Sequence, residues 1–212
     1  MQQIRLAVSG LLFDNDGVLV DSLEPAAVAW DAWAAVYAPT FDFRTQVEHG
    51  VRAADTVATL VAPEVFDEAI AALDKAELDG SDVCDALPGA VELTRSLPAE
   101  RWAVVTSAIR PLGLARLAAA GHPTPPAVVS ADDVSHGKPD PEPYLKGAEA
   151  IGVSPDDCAV FEDAPAGIAA ARAAGVKYVI GVGDHLEGAI VDAHVHDLSQ
   201  VSYDGSVLTI SA

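Results

Sequence analysis

The sequence predicts an α/β fold in which a parallel sheet lies between two layers of helices. Two observations predict this core: short apolar runs alternate with alanine-rich segments of helical length, and polar residues follow several of the apolar runs. A third observation, a long helical stretch without convincing strands, predicts an insert. Strands that alternate with helices form right-handed βαβ units, which bury a parallel sheet on both faces. We therefore expect a Rossmann-like three-layer α/β/α core with a small α-helical cap inserted after the first strand.

Five apolar runs are predicted as strands because polar residues, glycine or proline bound them. These strands are residues 6–13, 102–105, 127–129, 159–161 and 178–182. The helices predicted for the core are residues 90–97, 112–120, 143–151 and 164–174. Gly121 and Gly175 follow two of these helices, at the position where a left-handed residue commonly ends a helix. Asp204 and Gly205 lie between two short apolar runs and predict a β-hairpin.

The insert is predicted to hold three helices, at residues 25–37, 53–60 and 63–78. Trp30, Trp33 and Tyr37 share one stripe of the first helix by their spacing. We interpret this stripe as the core of the insert, with stacking against a substrate as the alternative. The predicted division is therefore an α/β core of residues 1–21 and 88–212 and a helical cap of residues 22–87. Hinges are expected near residues 19–22 and 86–89.

The chain is strongly acidic, with 12 Lys and Arg against 32 Asp and Glu and a formal net charge of −20. Such a surface repels phosphate backbones and anionic lipids, which argues against nucleic-acid and membrane partners. The apolar run near the start is too short to cross a bilayer, so we expect a cytoplasmic protein. Cys84 and Cys158 are interpreted as small buried hydrophobic residues. We expect a monomer or a weak homo-oligomer.

Chemically capable side chains follow successive predicted strands. They are Asp14 and Asp16, Thr106 and Ser107, Lys138, and Glu162 and Asp163. In an open parallel sheet, ligands bind in the crevice at the carboxyl ends of the strands. A turn rich in Asp and Asn explains any one of these groups alone. Their joint placement at the strand ends is harder to explain in that way and predicts a single site.

These segments resemble the four sequence motifs of the haloacid dehalogenase superfamily, in the order of that family. They are residues 13–22 (FDNDGVLVDS), 104–107 (VVTS), 137–139 (GKP) and 160–168 (VFEDAPAGI), and the resemblance extends over residues 7 to 185. The runs KPDPEPY and EDAPAG are similar to the branch that contains β-phosphoglucomutase and the small sugar- or polyol-phosphate phosphatases. His49-Gly50-Val51-Arg52 resembles a segment of the glycerol-phosphate and deoxyglucose-phosphate phosphatases.

The resemblance implies a phosphatase that uses Mg²⁺ to hydrolyse a small sugar- or polyol-phosphate monoester through an aspartyl-phosphate. Asp14 is then the nucleophile, and Asp16 is the general acid and afterwards the general base. Mg²⁺ is expected on Asp14, the backbone carbonyl of Asp16 and Asp163. Glu162 is either a further ligand or a partner of the ligands. The implied partner is a small phosphorylated metabolite.

The resemblance also implies which groups hold the substrate. The groups expected to hold the phosphoryl oxygens are Thr106, Lys138 and the amides near Ser107 and Ala108. Two interpretations of Arg110 remain open: it reaches the phosphate, or it lies on the surface at the start of a helix. His49, Gly50 and Arg52 lie where related caps carry residues that contact the organic part of the substrate.

Two other functions are weighed against the phosphatase. A phosphomutase of the β-phosphoglucomutase type carries a His in the first cap helix, whereas this chain has Ala26 there and Ser22 at the hinge position. A non-catalytic sugar-phosphate sensor, similar to a receiver domain, has no need of Asp16 or of a helical insert. Both comparisons favour the phosphatase.

Overall fold

A computed structural model describes residues 3–184, 186 and 188–211 of the 212-residue chain. Within these residues the strands are β1 Gln3–Ala7, β2 Gly10–Phe13, β3 Val20–Asp21, β4 Asp85–Ala86, β5 Trp102–Val105, β6 Val128–Val129, β7 Cys158–Glu162, β8 Tyr178–Val182, β9 Ala193–Val195, β10 Val201–Tyr203 and β11 Val207–Ser211. The α-helices are α1 Leu23–Tyr37, α2 Phe43–Gln46, α3 Ala53–Leu60, α4 Phe66–Asp79, α5 Ala90–Ser96, α6 Arg110–Ala119, α7 Glu142–Ala150 and α8 Pro165–Ala173.

The centre of the molecule is a six-stranded parallel sheet in the order β6-β5-β2-β7-β8-β9. Every residue of β2, β5 and β7 is buried. Strands of a parallel sheet that is covered on both faces have this continuous burial. The expected Rossmann-like α/β core is therefore confirmed.

The two faces of the sheet contribute to two separate hydrophobic clusters. Leu11 and Phe13 of β2 belong to one cluster, whereas Leu12 between them belongs to the other. Successive side chains of a strand point to opposite faces, so one apolar run supplies both clusters. The predicted helices also form, with bounds that differ from those expected by up to three residues. No helix in the described part of the chain is long and apolar enough to cross a membrane.

The single strand predicted over residues 6–13 is wrong, because the run is divided between two sheets. β1 pairs antiparallel with β11, while β2 lies at the centre of the parallel sheet. The chain changes sheets at Val8 and Ser9, whose amides donate to Ser206 and Asp157 carbonyls. The helical insert consequently follows the third strand of the chain and not the first. The predicted hairpin is confirmed, since β10 and β11 pair antiparallel.

The helices α1 to α4 form a helical segment between β3 and β4, which pair antiparallel with each other. This segment has its own hydrophobic cluster, which includes Trp30, Trp33 and Leu73. The indole of Trp33 donates to the Ala69 carbonyl at 2.8 Å and so links α1 to α4. The stripe therefore packs in this cluster as interpreted, with Trp30 and Trp33 buried and Tyr37 partly buried. The assignment of residues 22–87 as a separate cap domain stays a prediction.

Candidate active site

The predicted site residues follow neighbouring strands at the carboxyl edge of the central sheet. Asp14 comes directly after β2, Thr106 after β5 and Asp163 after β7. The Asp14 amide donates to the Phe161 carbonyl at 3.0 Å, which continues the pairing of β2 with β7. Because the three strands are adjacent, their ends bring residues from distant parts of the sequence to one place.

Three carboxylates meet at this edge. Asp14, Glu162 and Asp163 each offer an oxygen, and these atoms lie within 4.8 Å of one another. Burial raises the pKa of Asp14 to about 7, with Lys138 opposing the shift and Glu162 and Asp16 adding to it. Burial and the charges of Asp14 and Glu162 also raise the pKa of Asp163 well above its usual value. Buried acidic groups that repel one another in this way fit a hard, oxygen-preferring cation such as Mg²⁺.

Lys138 is the buried cation of the site. Its Nζ lies 2.8 Å from Asp14 Oδ1 and 2.7 Å from Glu162 Oε1, and its side chain is fully buried. Burial lowers the pKa of Lys138, but the attraction of Asp14 and Glu162 outweighs it and raises the pKa above its usual value. Lys138 therefore remains charged beside the carboxylate of Asp14.

Glu162 is occupied by protein donors. Its Oε1 accepts from Lys138 and, at 2.5 Å, from the hydroxyl of Tyr144, while its Oε2 accepts from the Ala164 amide at 3.3 Å. Both interpretations of Glu162 stay predictions: it offers an oxygen to the carboxylate group, and its contacts also link it to Lys138. Tyr144 was missed as a site residue, although it ends the KPDPEPY run.

Two glycines leave room for the carboxylates. A Cβ at Gly17, where φ is +81°, would lie 1.9 Å from Asp163 Oδ2. A Cβ at Gly167 would lie 1.7 Å from Glu162 Oε1. Any side chain at either position would displace the carboxylate beside it, so the sequence at these positions sets the shape of the site.

The two carboxylate oxygens of Asp16 have different hydrogen-bond partners. Oδ1 accepts from Ser22 Oγ at 2.6 Å and from Arg116 Nη1 at 2.9 Å. Oδ2 lies 3.5 Å from the hydroxyl of Thr106, which in turn accepts from the Ala108 amide. One oxygen of Asp16 is thus anchored, and the other faces the loop that follows β5.

Arg116 and Glu77 were not predicted from the sequence. Arg116 Nη2 donates to Glu77 Oε1 at 3.0 Å, and both side chains are buried. Burial raises the pKa of Glu77, against the lowering effect of Arg116. One sequence signal was available: Arg116 lies between Leu112 and Leu117 on the buried face of α6, where an unpaired charge is costly.

A cavity of about 1010 Å³ opens between the carboxylate site and the helical segment. Predicted residues that line it are Asp14, Asp16, His49, Gly50, Arg52, Ser107, Ala108 and Asp163. Ser107 Oγ donates to the Gly50 carbonyl at 2.6 Å, which joins the β5 loop to the helical segment. Arg52 pairs with Asp55 through Nε and Nη2 at 2.8 and 2.9 Å. Thr106, Lys138 and Glu162 are not part of this lining and lie buried beside it.

The side chain of Arg110 makes its contacts outside the cavity. Its Nη2 donates to the Val128 carbonyl at 3.0 Å and to Asp133 Oδ2 at 2.5 Å. It is not among the residues that line the cavity in the described part of the chain. Of the two interpretations, the position at the start of α6 on the surface matches the structure, and the phosphate contact does not.

Comparison with known proteins decides the family. A family model for haloacid dehalogenase-like hydrolases matches residues 8–175. The chain belongs to the haloacid dehalogenase-like hydrolases. The match contains all four segments quoted for the resemblance, which is confirmed.

Relatives of this hydrolase narrow its class. Hexitol phosphatase A of Escherichia coli is 37% identical over 201 residues, covering 91% of this chain and 93% of that protein. Glycerol-1-phosphate phosphohydrolase 2 of Saccharomyces cerevisiae is 38% identical and covers 84% and 76%. The β-phosphoglucomutase of Clostridium difficile has the same fold, with a TM-score of 0.78, 20% identity and coverage of 93% and 94%. The expected enzyme class, a phosphoric monoester hydrolase, is confirmed.

Proposed function

We propose that this hydrolase uses Mg²⁺ to cleave the phosphate monoester of a small, otherwise uncharged sugar or polyol through an aspartyl-phosphate on Asp14. The observation that carries the proposal is the contact of Lys138 with Asp14, beside Asp163 and beneath a cavity large enough for such a substrate. A buried carboxylate held by an ammonium group at a strand end is suited to receive a phosphoryl group.

The reaction takes two steps. In the first, an oxygen of Asp14 forms a bond to phosphorus while the bond to the alkoxy oxygen breaks, and Asp16 gives its proton to the leaving oxygen. In the second, Asp16 takes a proton from water, the hydroxide attacks phosphorus, and Asp14 is released with inorganic phosphate. Lys138 offsets the negative charge of the phosphoryl oxygens in both steps.

Asp14, Asp163 and the backbone carbonyl of Asp16 are the groups that we assign to Mg²⁺. The bound ion supplies charge neutralisation at the phosphoryl oxygens. General acid–base catalysis contributes about 10²- to 10⁴-fold, while monoester hydrolysis calls for accelerations of up to about 10²¹-fold. Covalent catalysis, positioning and charge stabilisation therefore have to supply most of the rate.

The charges around the cavity support an uncharged organic part in the substrate. Among the described residues that line it, both arginines are paired: Arg52 with Asp55, and Arg116 with Asp16 and Glu77. Carboxylates also line it on the side of the helical segment, at Glu48 and Asp74. A second phosphate or a carboxylate on the substrate would be repelled there, whereas hydroxyl groups can donate hydrogen bonds to these carboxylates. The names of the relatives, a hexitol phosphatase and a glycerol-1-phosphate phosphohydrolase, agree with this class.

Phosphomutase activity is the second candidate, because β-phosphoglucomutase shares the fold. Ala26 lines the cavity at the position that matches the mutase His and has no group that can carry a proton. This difference favours transfer of the phosphoryl group to water.

The test is a phosphate-release screen with Mg²⁺ over glycerol phosphates, hexose and hexitol phosphates, phosphoglycolate and sugar bisphosphates. Isomerisation of glucose 1-phosphate is measured in parallel. We expect turnover of the uncharged polyol and sugar monophosphates, loss of turnover in EDTA and recovery with Mg²⁺. Preference for phosphoglycolate or a bisphosphate would overturn the substrate class, and isomerisation that outpaces phosphate release would identify a mutase.

A further inference from the structure

A buried cluster of charges connects the helical segment to the site. Arg116 in α6 donates to Asp16 at 2.9 Å and to Glu77 of α4 at 3.0 Å. The side chains of Arg116 and Glu77 expose only 6% and 7% of their surface. A charge buried to this extent is tolerated only when it is paired, so the arginine and the glutamate depend on each other.

The contacts of Asp16 indicate what this cluster does. Arg116 of α6 and Ser22, just before α1, both donate to Oδ1, so the two donors come from separate segments of the chain. Two donors on one oxygen restrict rotation of the carboxylate and leave Oδ2 facing Thr106, at 3.5 Å. The planar guanidinium group suits this task because its nitrogens contact two carboxylates at once in a fixed geometry.

We propose that Arg116 is a positioning residue for proton transfer, which holds Asp16 through Oδ1 and is itself held by Glu77 of the helical segment. The orientation of the Asp16 carboxylate then depends on how α4 packs against α6. This inference rests on the proposed function, in which Asp16 moves the proton.

Two probes with different leaving groups test the role of Arg116. The alkoxide of glycerol 1-phosphate needs a proton as it leaves, whereas the phenolate of p-nitrophenyl phosphate leaves without one. Single-turnover release of each leaving group is measured in the wild type and in Arg116→Met. We expect cleavage of glycerol 1-phosphate to fall by about 10- to 100-fold, at or below the lower limit of what a general acid supplies because Asp16 itself stays in place, and cleavage of p-nitrophenyl phosphate to change little.

Further variants keep the test decisive if Arg116→Met fails to fold. Arg116→Lys retains the charge but offers one nitrogen for two carboxylates, and Glu77→Gln leaves Arg116 in place with a weaker partner. Both are expected to show the same selective loss to a smaller extent. Lys75→Ala is the control, because it removes an exposed ion pair with Asp79 from the same helix and is expected to leave both rates unchanged.

The outcomes separate the inference from the function on which it rests. An equal loss with both probes in the folded variants, or no loss with either, would overturn the role of Arg116 while the phosphatase stands. A wild-type protein that cleaves neither probe in the presence of Mg²⁺ would overturn the proposed function itself.

Discussion

Asp14 is deeply buried and in direct contact with a lysine. It exposes 4% of its surface, and Lys138 Nζ lies 2.8 Å from its Oδ1. As the proposed nucleophile, it forms the covalent bond to phosphorus. We predict that Asp14→Asn abolishes phosphate release, because an amide does not replace the carboxylate in this step. Steady-state assays with Mg²⁺ measure the effect, and circular dichroism verifies the fold. Asp79→Asn, an exposed substitution on α4, serves as the control and should retain full activity.

The raised pKa of Asp14 predicts a pH dependence of the stability of the metal-free protein. At pH values between the usual pKa of an aspartate, 3.8, and about 7, the folded state keeps a proton that the unfolded state has lost. The free energy of unfolding therefore decreases as the pH rises through this interval. Thermal unfolding in EDTA should show a falling Tm, with a smaller slope in Asp14→Asn. Equal slopes in the two proteins would contradict the shift.

Mg²⁺ should reverse this trend, because the ion binds the deprotonated carboxylates. We predict that the increase in Tm on adding Mg²⁺ is larger at the upper end of the same pH interval than at the lower end, where protons compete with the ion. The stabilisation should be lost in Asp14→Asn. An increase in Tm that does not vary with pH would speak against binding at these carboxylates.

At the residue level, the sequence identified the groups that lie at strand ends and missed those that depend on tertiary contact. Asp14, Lys138 and Asp163 could be predicted because the alternation of strands and helices specifies which residues share a sheet edge. Arg116 could not, since its partners lie 100 and 39 residues away and on separate elements. Arg110 was the more prominent arginine by its place after the Thr106 loop, but Asp133 holds it at the surface.

At the scale of the elements, the conformation of the loop after β2 requires a glycine. Gly17 has φ +81°, and a Cβ there would lie 1.9 Å from Asp163 Oδ2. We predict that Gly17→Ala lowers Mg²⁺-dependent activity by about 10- to 100-fold, the range found when groups that support metal ligands are changed. The increase in Tm caused by Mg²⁺ should shrink as well. Activity as a function of Mg²⁺ concentration measures the effect.

Gly121→Ala is the matched control for this loop. Gly121 has a similar φ of +77°, but no described atom lies within 4 Å of a Cβ at this position. The backbone strain alone should cost about 1–2 kcal/mol of stability and leave the Mg²⁺ requirement unchanged. If both variants lose the same activity, backbone strain rather than contact with Asp163 is the cause.

The element boundaries that the sequence missed have a common physical reason. Residues 6–13 are one apolar run, but β1 and β2 belong to different sheets because amides at Val8 and Ser9 bond to loops far along the chain. Likewise, β3 and β4 contain two residues each and pair antiparallel with one another. Hydrophobic periodicity carries no information about such pairings, whereas it did predict the longer helices and the central strands.

The whole molecule carries a formal charge of −20 and is proposed to bind a phosphate dianion. Its overall field should therefore oppose substrate binding, while the local charge of Lys138 and the ion favours it. We predict that added salt lowers KM for glycerol 1-phosphate at saturating Mg²⁺ and leaves kcat unchanged, because the Debye length is about 10 Å at 0.1 M ionic strength. Initial rates over a salt series measure this. A KM that rises with salt would show that attraction prevails at long range.

The three tryptophans of this enzyme are intrinsic fluorophores, and they lie in the helical segment and in the central sheet. Trp30 lines the cavity and stacks on Phe43 at 5.4 Å between ring centroids, whereas Trp102 lies edge-on to Phe13, the residue before the proposed nucleophile. Emission from the helical segment and from the central sheet should therefore respond to different events. Fluorescence of Trp102→Phe, in which Trp30 and Trp33 of the helical segment remain, should report binding of the proposed substrate without an added label.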